Sequence, residues 1–452
     1  MALYSVSFRT FGCRLNQSES ENAAAAFVSA GAVLVDFDQA ADLIVFNTCT
    51  VTSKAEQKAR REMRLALRRS PDAVIVVTGC YAEMDPQALE ALAPRIVVVP
   101  GSRKGALVGL ASALADAFAE GLDALEEARR YAAADQVIDP FFFNPGDLRL
   151  RGRAALKVQD GCDNRCSYCR VCLARGGAIG LEPAEVLRRA RLLAGMGYPE
   201  IVLTGVNLSQ YRAGGLGFAG LLDLLCRETE GVAYRISSYE PDKVNDGFLK
   251  AFAHPRVQPF LHLAVQSGSD PVLRAMGRSY RAADALEAAT AARAAKADPY
   301  IGADLILGFP GESDAHFAET MAFLRALEPA WVHGFTFSPR PGTKAYAMGG
   351  RVPERVAVER AAAVAALAHE GRQNFALRRV GKLLVAMAEY ADNDEGDDEL
   401  APQEGSRAHA LSAEYLKLEL RGLPPGRRST FSCRATGPAT GQWADLSAEF
   451  VS

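Results

Sequence analysis

The sequence predicts an α/β protein in three parts: an N-terminal open parallel sheet, a central partial barrel of six β/α units, and a C-terminal β region. Three observations predict it. Apolar runs of strand length alternate with helix-length segments as far as about Ser338. Cysteines and small polar residues recur where those runs end. From about Arg378 the alternation gives way to short β-like stretches, with Leu416, Leu418 and Leu420 in period two.

At 452 residues the chain exceeds what one hydrophobic core organises, so two or three domains are expected. Hydrophobic content of 49% and charge of 23% are those of an ordinary globular protein and imply no membrane role. Met1 runs directly into an apolar stretch without a basic region or cleavage site, which predicts a cytoplasmic protein. Nine cysteines, an odd number, argue for metal ligation in a reducing compartment rather than disulfides. The net charge of -3 leaves room for a local basic patch.

Residues 4–11, 42–47 and 73–78 read as buried parallel strands, and 18–30, 53–69 and 85–93 as the helices between them. Cys13, Cys49 and Cys80 each follow a strand, at the carboxyl edge where open α/β sheets collect ligands. Intervals of 36 and 31 residues suit one βα unit each, so three thiols converge and a three-thiolate cluster site is expected. Three buried core cysteines are the plainer alternative. Gly12, Asn47-Thr48 and Thr78-Gly79 beside them weigh against it.

A mixed connector is expected over residues 111–145, after which the alternation resumes. Strands are predicted at 154–158, 200–205, 234–238, 260–266, 300–307 and 331–338, with helices at 183–194, 218–229, 282–295 and 313–327. Six units make a partial barrel rather than an eightfold one. The loop after the first strand carries Cys162, Cys166 and Cys169 in the pattern C-x3-C-x2-C. A 4Fe-4S cubane normally takes four thiolates, so this triad leaves one iron open to another ligand. Polar and glycine-containing strand ends gather at the same rim: Thr204, Gly205 and Asn207, Ser237 and Ser238, Gln266 and Ser267, Asp304 and Gly308. Cys226 reads as a buried helix residue and Cys433 as part of a C-terminal strand.

The C-terminal strands are predicted at 380–390, 409–420 and 427–436. From Arg378 onward 9 Lys and Arg face 12 Asp and Glu, partly through an acidic stretch at 392–404 expected to be a solvated loop. A clearer basic surface lies after Cys49, where Lys54, Lys58, Arg61, Arg64 and Arg68 recur at helical spacing, joined by Arg60 and Arg69. Such a stripe suits nucleic-acid phosphates, although a solvated helix face has the same composition.

These residues together resemble the radical S-adenosylmethionine methylthiotransferases over nearly the whole chain. The triad with Ala174-Arg175-Gly176 resembles their radical motif, and Phe11-Gly12-Cys13, Asn47-Thr48-Cys49 and Thr78-Gly79-Cys80 resemble the cysteine contexts of their N-terminal domain. Residues 262–269, 304–312 and 338–343 also look like this family. The resemblance implies domains at 1–115 (N-terminal, with an auxiliary cluster), 148–375 (radical S-adenosylmethionine core) and 378–448 (a TRAM-like small β-barrel). It implies two 4Fe-4S clusters and S-adenosyl-L-methionine as cofactors, with the strand-end residues named above as cofactor contacts. It implies an electron donor, a sulfur donor and a tRNA anticodon stem-loop as partners.

An adenine C2–H is too inert for side-chain acid–base chemistry, so a radical cofactor fits and no catalytic acid or base is assigned. Cys13-Arg14-Leu15-Asn16-Gln17 looks most like the branch acting on threonylcarbamoyladenosine 37 of tRNA. The alternatives are the isopentenyladenosine-tRNA and ribosomal-protein aspartate branches and, more remotely, a non-catalytic iron–sulfur protein that binds RNA or carries electrons. One departure stands out: Arg170-Val171-Cys172-Leu173 replaces the family's usual continuation and adds a second C-x2-C from Cys169. The readings of Cys172 are a competing ligand, an oxidation sensor and, preferred because the triad already satisfies the motif, a structural substitute for the proline.

Overall fold

A computed structural model describes residues 3–134, 138–145, 152–389, 408–423, 430–439, 441 and 443–451. The chain forms two compact units, the first comprising residues 1–148, 157–180 and 338–346, the second 149–156, 181–337 and 347–452.

The first unit is built on a five-stranded sheet: β1 (Tyr4–Thr10), β2 (Ala32–Leu34), β3 (Leu43–Thr48), β4 (Val74–Gly79) and β5 (Ile96–Val98). The order is β2-β1-β3-β4-β5, all parallel. β3 and β4 are buried at every position because both sheet faces are covered, which is why they read as unbroken apolar runs. Leu43, Val45, Val74 and Val76 pack on one face against α1 (Arg14–Ser29), α5 (Ala106–Glu120) and α6 (Ala124–Ala133). Ile44, Phe46, Ile75 and Val77 pack on the other against Ala59, Met63 and Ala66 of α2 (Ser53–Arg69). The expected connector therefore begins as two helices. Leu107, Leu110, Ala111 and Leu114 form an apolar stripe at helical spacing, and Asp123 caps α6 by accepting from the Leu125 and Glu126 amides.

Two short helices, α3 (Cys80–Met84) and α4 (Pro86–Glu90), replace the single helix expected over 85–93, because Pro86 starts a new helix rather than continuing the old one. α1 likewise begins four residues before its expected start, directly at the N-cap Cys13.

In the second unit six strands follow in order: Ala154–Lys157, Glu200–Thr204, Ala233–Ile236, Phe260–Gln266, Tyr300–Leu307 and Trp331–Thr336. They pair as two three-stranded sheets joined by parallel bridges Tyr234–Val257 and Tyr239–Leu263, the expected partial barrel. Three helices add to those expected: Asp246–Phe252, Asp270–Met276 and the 24-residue Glu354–Leu377. Buried Glu200 receives a two-pronged pair from buried Arg235, at 2.7 and 2.8 Å, and a bond from Gln258.

The C-terminal strands Leu383–Ala388, Ala408–Ser412, Lys417–Arg421, Phe431–Pro438 and Leu446–Val451 close into a barrel. Its core is continuous with Phe260, Tyr300, Ala330 and Phe375. Residues 409–420, expected as one strand, are two strands of a hairpin that turns at Tyr415, whose φ of 70° no strand residue adopts. The acidic stretch 392–404 and residues 427–429 lie outside the described residues.

Candidate functional site

The strand order of the first unit reverses direction between β1 and β3, the place where such sheets hold ligands. Cys13 occupies the N-cap position of α1 after β1, Cys49 follows β3, and Cys80 opens α3 after β4. Gly12 and Gly79 shape the loops, with φ of 99° and 98°. A Cβ on Gly12 would sit 2.8 Å from Cys49 Cβ and 2.9 Å from its Sγ, and one on Gly79 would meet Thr48 O at 2.3 Å.

Polar strand ends clamp the loops together. Asn16 Nδ2 donates to Phe11 O (2.9 Å) and Thr48 O (3.0 Å), Asn47 Nδ2 to Asn16 O (2.8 Å), and Thr48 Oγ1 to Thr78 O (2.5 Å). Asn16, within the stretch 13–17, is fully buried and holds the loops through these bonds.

The second cysteine set lies in the same unit. Cys169 N donates to Cys166 O (3.1 Å), Cys162 N to Gly176 O (3.1 Å), and Ala345 N to Ser167 O (2.7 Å), which fastens residues 338–346 to the loop. The two sets share a detail: Val51 N–H donates to Cys49 Sγ and Val171 N–H to Cys169 Sγ, both at 3.4 Å. Burial pushes each of these two thiols up to about 12, with further contributions from Cys80 and Cys13 at Cys49 and from Cys166, Cys162 and Cys172 at Cys169. A bound metal that draws off the proton reverses that cost. Soft thiol donors, amide N–H groups directed at sulfur, and a loop at Gly12 with no room for a methyl group all fit an iron–sulfur cluster. Cys172 sits at the start of α7 (Val171–Arg175), its Sγ 3.9 Å from Cys169 O.

A charged network lies against the N-terminal set; Arg175 falls in the radical motif quoted above, whereas Glu19, Lys104, Lys157 and Asp160 belong to no motif. Arg175 donates to Cys80 Sγ (3.3 Å), Asn16 Oδ1 (2.8 Å), Asp160 (3.0 Å) and both oxygens of Glu19 (3.0 Å). Lys157 bonds Glu19 at 2.8 Å and Asp160 at 2.5 Å, and Lys104 pairs with Glu19. Burial alone would raise the Glu19 carboxyl, but Arg175, Lys104 and Lys157 overcome it and hold Glu19 well below the usual range. On the other side Arg170 and Arg340 both reach Glu56 and, at 3.2 Å each, Thr50 Oγ1. Glu19 was visible as the only carboxylate on the buried Asn16, Ala23, Phe27 face of α1.

In the second unit the expected strand-end residues divide. Asn207 joins a buried group, accepting from Ser209 Oγ (2.6 Å) and donating to Glu240 Oε1 (3.3 Å), while Thr204 is buried at its strand end. Ser237 and Ser238 are half-buried and the Ser237 hydroxyl has no protein partner. Gln266 carries a left-handed φ of 66°, a strained backbone found at ligand sites. Ser267 accepts from Ser269 N at 3.2 Å, and Gly308 N donates to Glu312 Oε2 at 2.5 Å, so both hold their own turns. Asp304 takes a bond from His262 Nε2 at 3.0 Å beside His333, on the strand face opposite buried Leu263, Leu305 and Val332.

Lys54, Lys58, Arg61, Arg64 and Arg68 are all exposed on α2, opposite its buried Ala59, Met63 and Ala66. Arg60 and Arg69 do not join them. Arg60 turns to the Tyr81 hydroxyl and Arg69 to Phe37 O, each lying over that aromatic ring. Cys226 and Cys433 are buried, as expected.

Residues 5–101 match the profile described as uncharacterized protein family UPF0004, and residues 156–324 that of the Radical SAM superfamily. The threonylcarbamoyladenosine tRNA methylthiotransferase MtaB of Treponema pallidum is 41% identical, with 92% of this chain and 95% of the relative aligned. The protein of the same name from Bacillus subtilis is 33% identical, with 92% and 90% aligned. A tRNA-2-methylthio-N(6)-dimethylallyladenosine synthase of Cereibacter sphaeroides is 32% identical, with 95% and 96% aligned. The solved radical S-adenosylmethionine methyltransferase TsrM from Kitasatospora setae overlays with a TM-score of 0.52 at 15% identity, over 76% of this chain and 77% of that one, a likeness of fold alone.

Proposed function

This chain belongs to the radical S-adenosylmethionine methylthiotransferases, and we propose that it is the enzyme that places a methylthio group at C2 of N6-threonylcarbamoyladenosine 37 in tRNA. The observation that carries the substrate is the 41% identity, over nearly the full length of both chains, to a relative named for that reaction. Cys162, Cys166 and Cys169 would hold one 4Fe-4S cluster, and Cys13, Cys49 and Cys80 a second. When bound, the first supplies the electron that cleaves S-adenosyl-L-methionine to a carbon radical, and the second supplies sulfur.

The protein's own residues bind, orient and exclude water. The clamps through Asn16, Asn47 and Thr48 fix the three strand-end loops, and the left-handed Gly12 lets two of them approach. Thr204, Gly205, Asn207, Ser237, Ser238, Gln266, Ser267, Asp304 and Gly308 are the proposed contacts to S-adenosyl-L-methionine. Among them, the unpartnered Ser237 hydroxyl and the strained Gln266 offer the most direct ligand positions.

The exposed stripe Lys54, Lys58, Arg61, Arg64 and Arg68 is the proposed seat of anticodon stem-loop phosphates. The working division is residues 1–115 for the auxiliary site, 148–375 for the radical core and 378–448 for a TRAM-like RNA-binding barrel. An external electron donor and sulfur donor complete the reaction, in the cytoplasm. Among the described residues no helix is long and apolar enough to cross a membrane.

Mass spectrometry of tRNA nucleosides from a deletion strain tests the substrate. Loss of 2-methylthio-N6-threonylcarbamoyladenosine is expected. Its persistence, with loss of a methylthiolated isopentenyladenosine or ribosomal-protein aspartate, moves the chain to another branch.

A further inference from the structure

We propose that Arg175 is a positioning residue that ties the radical-motif loop to the N-terminal thiol set, its Nε–H directed at the Cys80 thiolate so as to raise the reduction potential of the cluster held there. The inference rests on the reading that Cys13, Cys49 and Cys80 hold a 4Fe-4S cluster.

Geometry carries it first. A guanidinium has five N–H donors in one rigid plane, and every one is placed here. Nη1 meets Glu19 Oε1 and Asp160, Nη2 meets Asn16 Oδ1 and Glu19 Oε2, and these four contacts at 2.8 to 3.0 Å fix the plane of the fork. Nε is left with one direction, toward Cys80 Sγ at 3.3 Å. All of these partners lie in one compact unit, and the Arg175 side chain is almost wholly buried.

Charge carries it second. The group contains three cations, Arg175, Lys104 and Lys157, and two carboxylates, Glu19 and Asp160. A buried group with one positive charge in excess is costly, and a cluster held at Cys80 would bring negative charge beside it. A simple structural ion pair would balance within itself. An N–H directed at a ligand sulfur favours the cluster state carrying the additional electron, and a charged donor does so more strongly than an amide. Arg175 lies six residues beyond Cys169, so the segment that supplies a ligand to one cluster supplies a donor to the other.

The test uses the full-length chain with Cys162, Cys166 and Cys169 replaced by alanine, reconstituted without oxygen so that only the N-terminal cluster is present. An EPR-monitored redox titration reads its midpoint with Arg175 intact, in Arg175→Lys and in Arg175→Met. The midpoint is expected to fall in Arg175→Met and to lie between in Arg175→Lys, which keeps the charge but loses the planar fork. A full iron complement with an unshifted midpoint overturns the role of Arg175 and leaves the cluster reading intact. No cluster signal even with Arg175 intact removes both. Should Arg175→Met fail to fold, arginine-15N protein in the same background gives the answer by pulsed EPR: a nitrogen coupling on the cluster supports the proposal and its absence overturns it.

Discussion

Gly12→Ala tests the thiol cradle directly. At a φ of 99° an alanine is strained by about 1–3 kcal/mol. Its methyl carbon would also lie 2.8 Å from Cys49 Cβ, about 1 Å inside ordinary carbon–carbon contact. Together these raise the cost of the native loop by roughly 2–4 kcal/mol, or about 30- to 700-fold in its population at 1.4 kcal/mol per decade. The loop can shed most of that strain by moving Cys13 away from Cys49, because Cys13 is exposed and belongs to neither apolar face of the sheet, whereas Phe11 and Cys49 stay packed on the α2 side.

The expected outcome is selective. Iron per chain should fall from about eight to about four for two cubanes reduced to one, while the thermal midpoint drops by only a few degrees. Gly121→Ala is the control, since Gly121 has a φ of 69° with nothing within 4 Å of an added Cβ. It should show a strain cost without loss of iron. Wild-type iron and an unchanged midpoint in Gly12→Ala would refute the crowding on which the cradle rests.

Reversing charge at Arg61, Arg64 and Arg68 should weaken tRNA binding and lower the salt slope by about 0.9 for each phosphate no longer neutralised; filter binding across a salt series checks it, and an unchanged slope rejects the stripe. Glu200→Ala strands the buried Arg235 guanidinium and should cost about 3–5 kcal/mol by denaturant unfolding, whereas Glu200→Leu with Arg235→Met should recover much of that loss; equal losses in both would deny the pairing argument. Lys296 is lowered by burial to about 8. Between that value and the ordinary lysine range the unfolded chain binds the extra proton, so wild type should gain stability relative to Lys296→Met as pH rises from 7 to 10. A flat difference over that range would mean that Lys296 is not desolvated as the structure places it.

Much of the fold is legible because burial leaves a periodic trace. Leu43-Ile44-Val45-Phe46 and Val74-Ile75-Val76-Val77 are apolar on both faces, which only a doubly covered parallel strand requires. The cysteine sets are legible because thiol spacing is local or falls at strand ends. The Ala-rich stretch of α5 blurred its helical stripe, and three-residue strands such as β2 and β5 fall below any periodic signal. The hairpin turn at Tyr415 hides because its residues continue the alternation of the strand that follows. The pairing of Arg175 with Glu19 hides for another reason. Arg175 and Glu19 are 156 residues apart, and nothing local to either announces the other.

The most direct measurement supplies the reconstituted protein with S-adenosyl-L-methionine, a one-electron reductant and tRNA carrying N6-threonylcarbamoyladenosine 37, then reads both 5'-deoxyadenosine and the modified nucleoside by mass spectrometry. The account predicts both products with wild type and neither when Cys162, Cys166 and Cys169 are alanine. With Cys13, Cys49 and Cys80 replaced instead, it predicts 5'-deoxyadenosine alone. Methylthiolated product from that last variant would contradict the division of labour between the two cysteine sets.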